Sequence, residues 1–241
     1  MDHANVGKSW LPPRITVIGV PRRKLFWSDF MKTARERFAL YAVTDRVRAR
    51  SSGELLAQVA AAIRGGAGIV QLREKELPFG EFLREAEEFV ALCRSLGALS
   101  IINDNVEIAR LTGADGVHVG QEDMAAARAR ELLGPGRLIG VSAHTVEEAR
   151  AAYEMGADYL GTGAAFVTGT KADAKPIERG TIRAITSAVP IPVVAIGGIT
   201  AANLPELRSL GLAGAAVASA IFASDDPEAA ARALLPICQS L

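Results

Sequence analysis

The sequence predicts an α/β chain closed into a (β/α)8 barrel, the TIM-barrel architecture, as a single domain with an N-terminal extension. Three observations carry that expectation. From Phe38 onward, short apolar runs alternate with amphipathic stretches; the runs number eight; and a short polar or glycine-bearing string recurs where each run gives way to the next helical pattern. Strict alternation of strand and helix demands right-handed crossovers and therefore a parallel sheet. Eight such units between residues 38 and 241 fit a closed barrel near the small end of its usual size. The competing arrangement is an open doubly wound sheet, but its glycine fingerprint is missing. Gly161-Thr-Gly163 is followed by Phe166 where the third glycine belongs, and it falls too late in the chain.

Taken in order, strands are expected at Phe38–Val43, Gly68–Leu72, Leu99–Asn103, Gly116–Val119, Leu138–Ser142, Tyr159–Thr162, Pro192–Ile196 and Gly214–Ala218. Helical patterns fall at Glu54–Arg64, Phe79–Ser95, Met124–Leu132, Val146–Met155, Ile182–Ser187, Ala201–Ser209 and Asp226–Gln239, and the segment after Asn105 has the weakest pattern. Arg64-Gly-Gly-Ala67 and Glu154-Met-Gly-Ala157 read as glycine helix stops that feed the next strand. Residues 1–37 sustain neither period. They hold both tryptophans, the Pro12-Pro13 pair and the Arg22-Arg-Lys24 run, and are expected to form a partly disordered extension, with Met31 as an alternative start. Residues 38–241 then make up the catalytic domain.

Bulk properties exclude several classes. A chain of 241 residues with 49% hydrophobic content can bury a sizeable core. Net charge is zero, yet residues 1–37 carry eight Lys/Arg against three Asp/Glu, leaving nineteen against twenty-four in the remainder. A mildly acidic body argues against a nucleic-acid surface, which needs clustered positive charge. A nucleic-acid or transit role for the short basic run is the lesser reading. Cys93 and Cys238 lie far apart without a CxxC pairing, so they signal neither a zinc site nor a disulfide framework and imply a reducing compartment. The apolar run Ile15 to Val20 is too short for a signal-peptide core, and no run approaches a membrane span. The expectation is a soluble cytoplasmic protein that acts on small molecules, with no nucleic-acid or membrane partner; a homo-oligomer stays open.

The strings at the strand ends carry the chemistry, because ligands of parallel α/β folds bind beyond the carboxyl ends of the strands. Arg73 and Lys75 alternate with Leu72 and Glu74 and so point to one side. A guanidinium fork beside an ammonium suits a diphosphate; the alternative is a salt bridge to Glu74, Glu76 or a helix carboxylate. Asp104 ends the third strand and Asp123 follows the fourth. Hard oxygen donors without a His or Cys partner suit Mg2+ bound with water and phosphate. The alternatives are a helix N-cap for Asp123 and a turn acid ahead of Val106 for Asp104. Thr168-Gly169-Thr170-Lys171 sits in a long helix-free segment reaching about Pro176, whose hydroxyls, glycine amide and ammonium can hold phosphate. Gly197-Gly198 and Ser219 follow strands seven and eight, where this barrel frequently binds phosphate. Ser142 and His144 lack the setting of a serine hydrolase, and His118 reads as a packed residue.

With Gln71-Leu-Arg-Glu-Lys75, Asn103-Asp104, His118-Val-Gly-Gln-Glu-Asp123, Val141-Ser-Ala-His-Thr145, Thr168-Gly-Thr-Lys171, Ile196-Gly-Gly-Ile199 and Ala218-Ser-Ala-Ile221 in this order, the chain resembles the thiamine-phosphate synthase family from Tyr41 nearly to its end. The resemblance implies a transferase that joins 4-amino-2-methyl-5-(diphosphooxymethyl)pyrimidine to a thiazole ethyl phosphate, or its carboxylated form, releasing diphosphate and giving thiamine phosphate. It implies that Gln71, Arg73, Lys75, Asn103, Ser142 and Lys171 contact the pyrimidine diphosphate, with Arg73, Lys75, Lys171 and Ser142 catalytic. Asp104 and Asp123 would hold Mg2+. Thr168, Gly169, Thr170, Gly198, Ala218 and Ser219 would take the thiazole phosphate. The family's Gly-Pro-x-Phe-Pro-Thr approach reads Gly163-Ala-Ala-Phe-Val-Thr168 here. Loss of both prolines bears on loop rigidity more than on chemistry, because Thr168, Thr170 and Lys171 remain. A thiazole tautomerase with His144 as proton shuttle, and a non-catalytic thiamine-precursor sensor, are the two other readings.

Overall fold

The computed structural model describes residues 36–121, 125–167 and 176–241. The expected extension therefore lies outside the described residues except for its last two positions. Eight parallel strands pair in sequence order, and β1 closes onto β8. They are β1 (Leu40–Val43), β2 (Ile69–Leu72), β3 (Leu99–Asn103), β4 (Gly116–Val119), β5 (Leu138–Ser142), β6 (Tyr159–Thr162), β7 (Val193–Ile196) and β8 (Gly214–Val217). Each is buried on both faces almost throughout, which is why they read as continuous apolar runs rather than alternating ones.

Period two sorts their side chains. Tyr41, Val43, Ile69, Leu99, Ile101, Leu138, Tyr159, Val194 and Ala216 fill the barrel interior together with Phe38. Their neighbours Leu40, Val70, Leu72, Ile102, Val117, Ile139, Leu160, Val193 and Val217 face outward into a second apolar layer beneath the helices.

The helices are α1 (Ser52–Arg64), α2 (Phe79–Leu96), α3 (Val106–Thr112), α4 (Ala126–Leu133), α5 (Val146–Glu154), α6 (Arg179–Ala188), the short α7 (Ser219–Phe222) and α8 (Pro227–Cys238). Side-chain caps start several of them by satisfying an otherwise orphaned amide. Ser51 accepts from the Glu54 amide at 3.2 Å, Thr145 from Glu148 at 3.1 Å and Asp226 from Ala229 at 3.0 Å. The two glycine stops are real and share one geometry. Gly66 (φ 108°) and Gly156 (φ 93°) take a positive φ that a Cβ disfavours. Beyond them, Ala67 and Ala157 donate back to Ala62 and Ala152, each at 3.0 Å, the Schellman closure.

Two expectations need correction. The helix expected over Ala201–Ser209 is only a 3₁₀ turn at Leu204–Leu207. Pro205 has no amide to bond the carbonyl four residues earlier, so an α-helix through this stretch would be broken at its middle. The segment after Asn105 is a helix, α3, and its cap is Asn105, whose side chain accepts from the Ile108 amide at 2.9 Å. Asp104 therefore does not cap it.

Candidate active site at the carboxyl rim of the barrel

Because all strands run the same way, their carboxyl ends share one rim. Gln71, Asn103 and Ser142 stand at the last turns of β2, β3 and β5, Arg73 and Asp104 follow directly, Gly197-Gly198 succeed β7, and Ala218-Ser219 succeed β8. Of the residues singled out in the sequence, Gln71, Arg73, Lys75, Asn103, Asp104, Ser142, Gly198, Ala218 and Ser219 are thus gathered at that rim. Asp123, Thr168, Gly169, Thr170 and Lys171 lie outside the described residues. Helix α4 is preceded by Ala125 at its N-cap position, without a side-chain cap.

Neighbouring strands set the polar centre of the site. The Lys75 ammonium pairs with the Asp104 carboxylate. Asn103 donates its side-chain amide to the same carboxylate oxygen at 2.6 Å. Asp104 holds φ at 60°, in the left-handed region that Asp tolerates better than most residues, and its amide donates to the His118 carbonyl of β4 at 2.8 Å. The alternative of a salt bridge from Lys75 to Glu74, Glu76 or a helix carboxylate is not what the chain adopts. Glu74 instead pairs with Arg46. Among the described residues the Arg73 guanidinium is in no ion pair, while its backbone amide donates to Thr44 Oγ1 at 2.9 Å and so ties the start of this loop to the end of β1.

Beneath the rim runs a buried polar chain that the sequence reading did not foresee. Gln71 Nε2 donates to Tyr41 Oη at 2.7 Å, Tyr41 Oη lies 2.9 Å from Tyr159 Oη, Tyr159 Oη lies 3.2 Å from His118 Nδ1, and His118 Nε2 lies 3.1 Å from Ser142 Oγ. Two of the expected substrate contacts, Gln71 and Ser142, are the ends of one connected network. Its middle is packed: the Phe38 and Tyr159 rings stand 5.0 Å apart and the Tyr41 and Tyr159 rings 5.9 Å. Burial pushes both phenol pKa values up, so each keeps the one proton it can donate along the chain. His118, expected as a packed residue, is packed and also bridges Tyr159 to Ser142. The available signal was positional, since Tyr41, His118 and Tyr159 occupy inward-facing strand positions where a polar atom needs a partner. His144 lies outside this network, exposed at the start of α5, where its Nδ1 is 3.2 Å from Glu148.

The chain matches the sequence model of the family described as thiamine monophosphate synthase over residues 40–221. It belongs to that family. Thiamine-phosphate synthase of Chlorobium luteolum is 49% identical over 183 residues, covering 76% of this chain and 86% of the relative. That of Chloroflexus aurantiacus is 49% identical over 196 residues, covering 81% and 90%. Among solved structures, thiamine phosphate pyrophosphorylase from Pyrococcus furiosus superposes with a TM-score of 0.77 at 38% identity, covering 85% of this chain and 97% of that one. The resemblance read from the sequence, the barrel and the transferase class of this thiamine monophosphate synthase family are borne out, and these relatives support neither the tautomerase nor the sensor alternative. Among the described residues no helix is long and apolar enough to cross a membrane.

Proposed function

We propose that this chain joins 4-amino-2-methyl-5-(diphosphooxymethyl)pyrimidine to a thiazole ethyl phosphate, carboxylated or not, and releases diphosphate. The observation that carries the reading is the Lys75–Asp104 pair beside Arg73, whose guanidinium is in no ion pair among the described residues, with Gln71 and Ser142 as the ends of the buried polar chain. Arg73 offers a planar fork to the diphosphate oxygens and Lys75 a point charge. Together with Lys171 they stabilise the negative charge that develops as the diphosphate leaves, which is usually the largest catalytic contribution. Gln71 and Ser142, fixed from below through Tyr41, Tyr159 and His118, orient the aminopyrimidine, whose ring carries the positive methylene carbon. Attack by the thiazole nitrogen then needs positioning more than a general base. Thr168, Gly169, Thr170, Gly198, Ala218 and Ser219 are assigned to the thiazole phosphate.

Mg2+ suits the donor chemistry. The Asp104 carboxylate is a hard oxygen donor at the rim that already faces a cation, the Lys75 ammonium. Among the described residues no group of three or more His, Cys, Asp or Glu side chains gathers, so the assignment rests on Asp104, with Asp123 as its partner. When bound, the ion supplies further positive charge to the departing diphosphate. A reducing, cytoplasmic setting is supported by two buried free thiols, Cys93 and Cys238.

The deciding assay incubates the protein with both phosphorylated halves and Mg2+, with and without EDTA, and follows thiamine phosphate and diphosphate. Formation of both products that stops with chelator is expected. Asp104→Asn, which keeps a residue that tolerates the left-handed backbone, and Lys171→Ala should each lower turnover by about a hundredfold or more, the scale of removing one preorganised charge-stabilising group, while the melting temperature stays close to that of the parent. Near-parental rates in either variant would refute its assigned role.

A further inference from the structure

We propose that Arg46 is a positioning residue for the diphosphate site: it withdraws the Glu74 carboxylate from the Arg73/Lys75 loop and so keeps that loop both shaped and cationic. The inference rests on the function proposed above. Glu74 lies between the two cations in sequence and is the carboxylate nearest to them along the chain. Free to turn, it would neutralise one of them. Its side chain is instead only 5% exposed and pairs with Arg46 Nε from the loop after β1. The other Glu74 oxygen accepts the backbone amides of Lys75 at 2.8 Å and Glu76 at 3.0 Å. One carboxylate thus folds the loop's backbone around one oxygen while Arg46 takes the other.

Arg46 can hold it because it is anchored below. Its Nη2 lies 2.6 Å from Oε1 of Glu85, an α2 carboxylate with 1% of its side chain exposed, and Glu85 also receives the Ser52 hydroxyl of α1. A single guanidinium therefore bridges two buried carboxylates through different nitrogens, a task its fork performs and a lysine ammonium does not. Without Arg46, two carboxylates would share a buried site, which favours expulsion of the more mobile one. Glu74 stands on the loop after β2 whereas Glu85 is held within α2, so Glu74 is the one free to move, and Arg73 and Lys75 flank it in the chain.

Charge release and simple loss of structure give opposite results in a double variant, measured by steady-state kinetics on the full chain. Arg46→Met is expected to raise KM for the pyrimidine diphosphate about tenfold, as one uncompensated charge near the site would do, with KM for the thiazole phosphate unchanged. Adding Glu74→Gln removes the charge yet keeps an acceptor for the Lys75 and Glu76 amides, and should return KM most of the way. An unchanged KM in Arg46→Met, or a further rise in the double variant, overturns the proposal. Should Arg46→Met not fold, Arg46→Lys carries the same test, with KM expected to rise and to fall again on adding Glu74→Gln. An inactive parent chain would instead overturn the proposed function. Calorimetric binding of inorganic diphosphate to the same variants then decides the role of Arg46 alone, with weakening expected in Arg46→Met and recovery in the double variant.

Discussion

Tyr159 shows how much a single hydroxyl can be asked to do inside an apolar barrel. It lies between Tyr41 and His118, so its oxygen joins the Gln71 half of the polar chain to the Ser142 half. Replacement by Phe keeps the ring and its packing on Phe38 but leaves His118 Nδ1 facing a carbon. Tyr159→Phe should therefore cost about 1–3 kcal/mol, the penalty for stranding a buried polar group, read as a lower urea midpoint at unchanged slope. A midpoint equal to the parent's would mean that the hydroxyl is not part of a continuous chain. Gly140 supplies the room. A Cβ there would come within 2.1 Å of Tyr159 Cζ and 2.5 Å of His118 Nδ1. At this scale the sequence was informative about rim residues and silent about the chain below them. Asp104, Lys75 and Gln71 stand out as polar residues ending apolar runs, whereas Tyr41 and Tyr159 look like ordinary apolar strand residues because their partners are 118 positions apart.

Among elements, the loops after β1 and β2 act as a unit, and acid should weaken that unit. Burial acts to raise the Glu74 pKa, but the Glu76 amide, Arg46 and the Lys75 amide outweigh it and hold the carboxyl below its usual range. A carboxyl with a depressed folded-state pKa contributes stability that is present above its unfolded value, about 4.3 for Glu, and that is lost as pH falls through the folded one. Stability measured from pH 7 down to pH 3 should consequently fall less steeply in Glu74→Gln than in the parent below about pH 4; parallel curves would count against the ion pair. Helix ends were legible at the two glycine stops, where Gly66 and Gly156 take a positive φ. The caps Ser51, Thr145 and Asp226 were not singled out, although their residue types suit that position. The miss at 201–209 came from weighing apolar spacing above Pro205, whose missing amide decides the matter. Arg46 was not legible at all, since nothing in its own neighbourhood announces Glu74 and Glu85 as partners.

At the level of the whole molecule, closure is what the periodic pattern foretold. The bounds of β3, β4, β5 and β6 follow the apolar runs because strands covered on both faces tolerate few polar interruptions. Closure also couples distant elements. Helix α8 packs against α1 and β1, so the last helix of the chain covers the first strand, and Cys238 on α8 and Cys93 on α2 are both buried. Burial pushes the Cys93 thiol up and the Cys238 thiol up to about 12; neither forms a thiolate near neutral pH. Both should resist an aromatic disulfide reagent in the native state. If the ring opens only as a whole, the two thiols become reactive over the same range of urea in which the circular dichroism signal is lost, as an all-or-none transition requires. Reaction of Cys238 at lower urea than Cys93 would show instead that α8 detaches as a separate unit before the barrel opens.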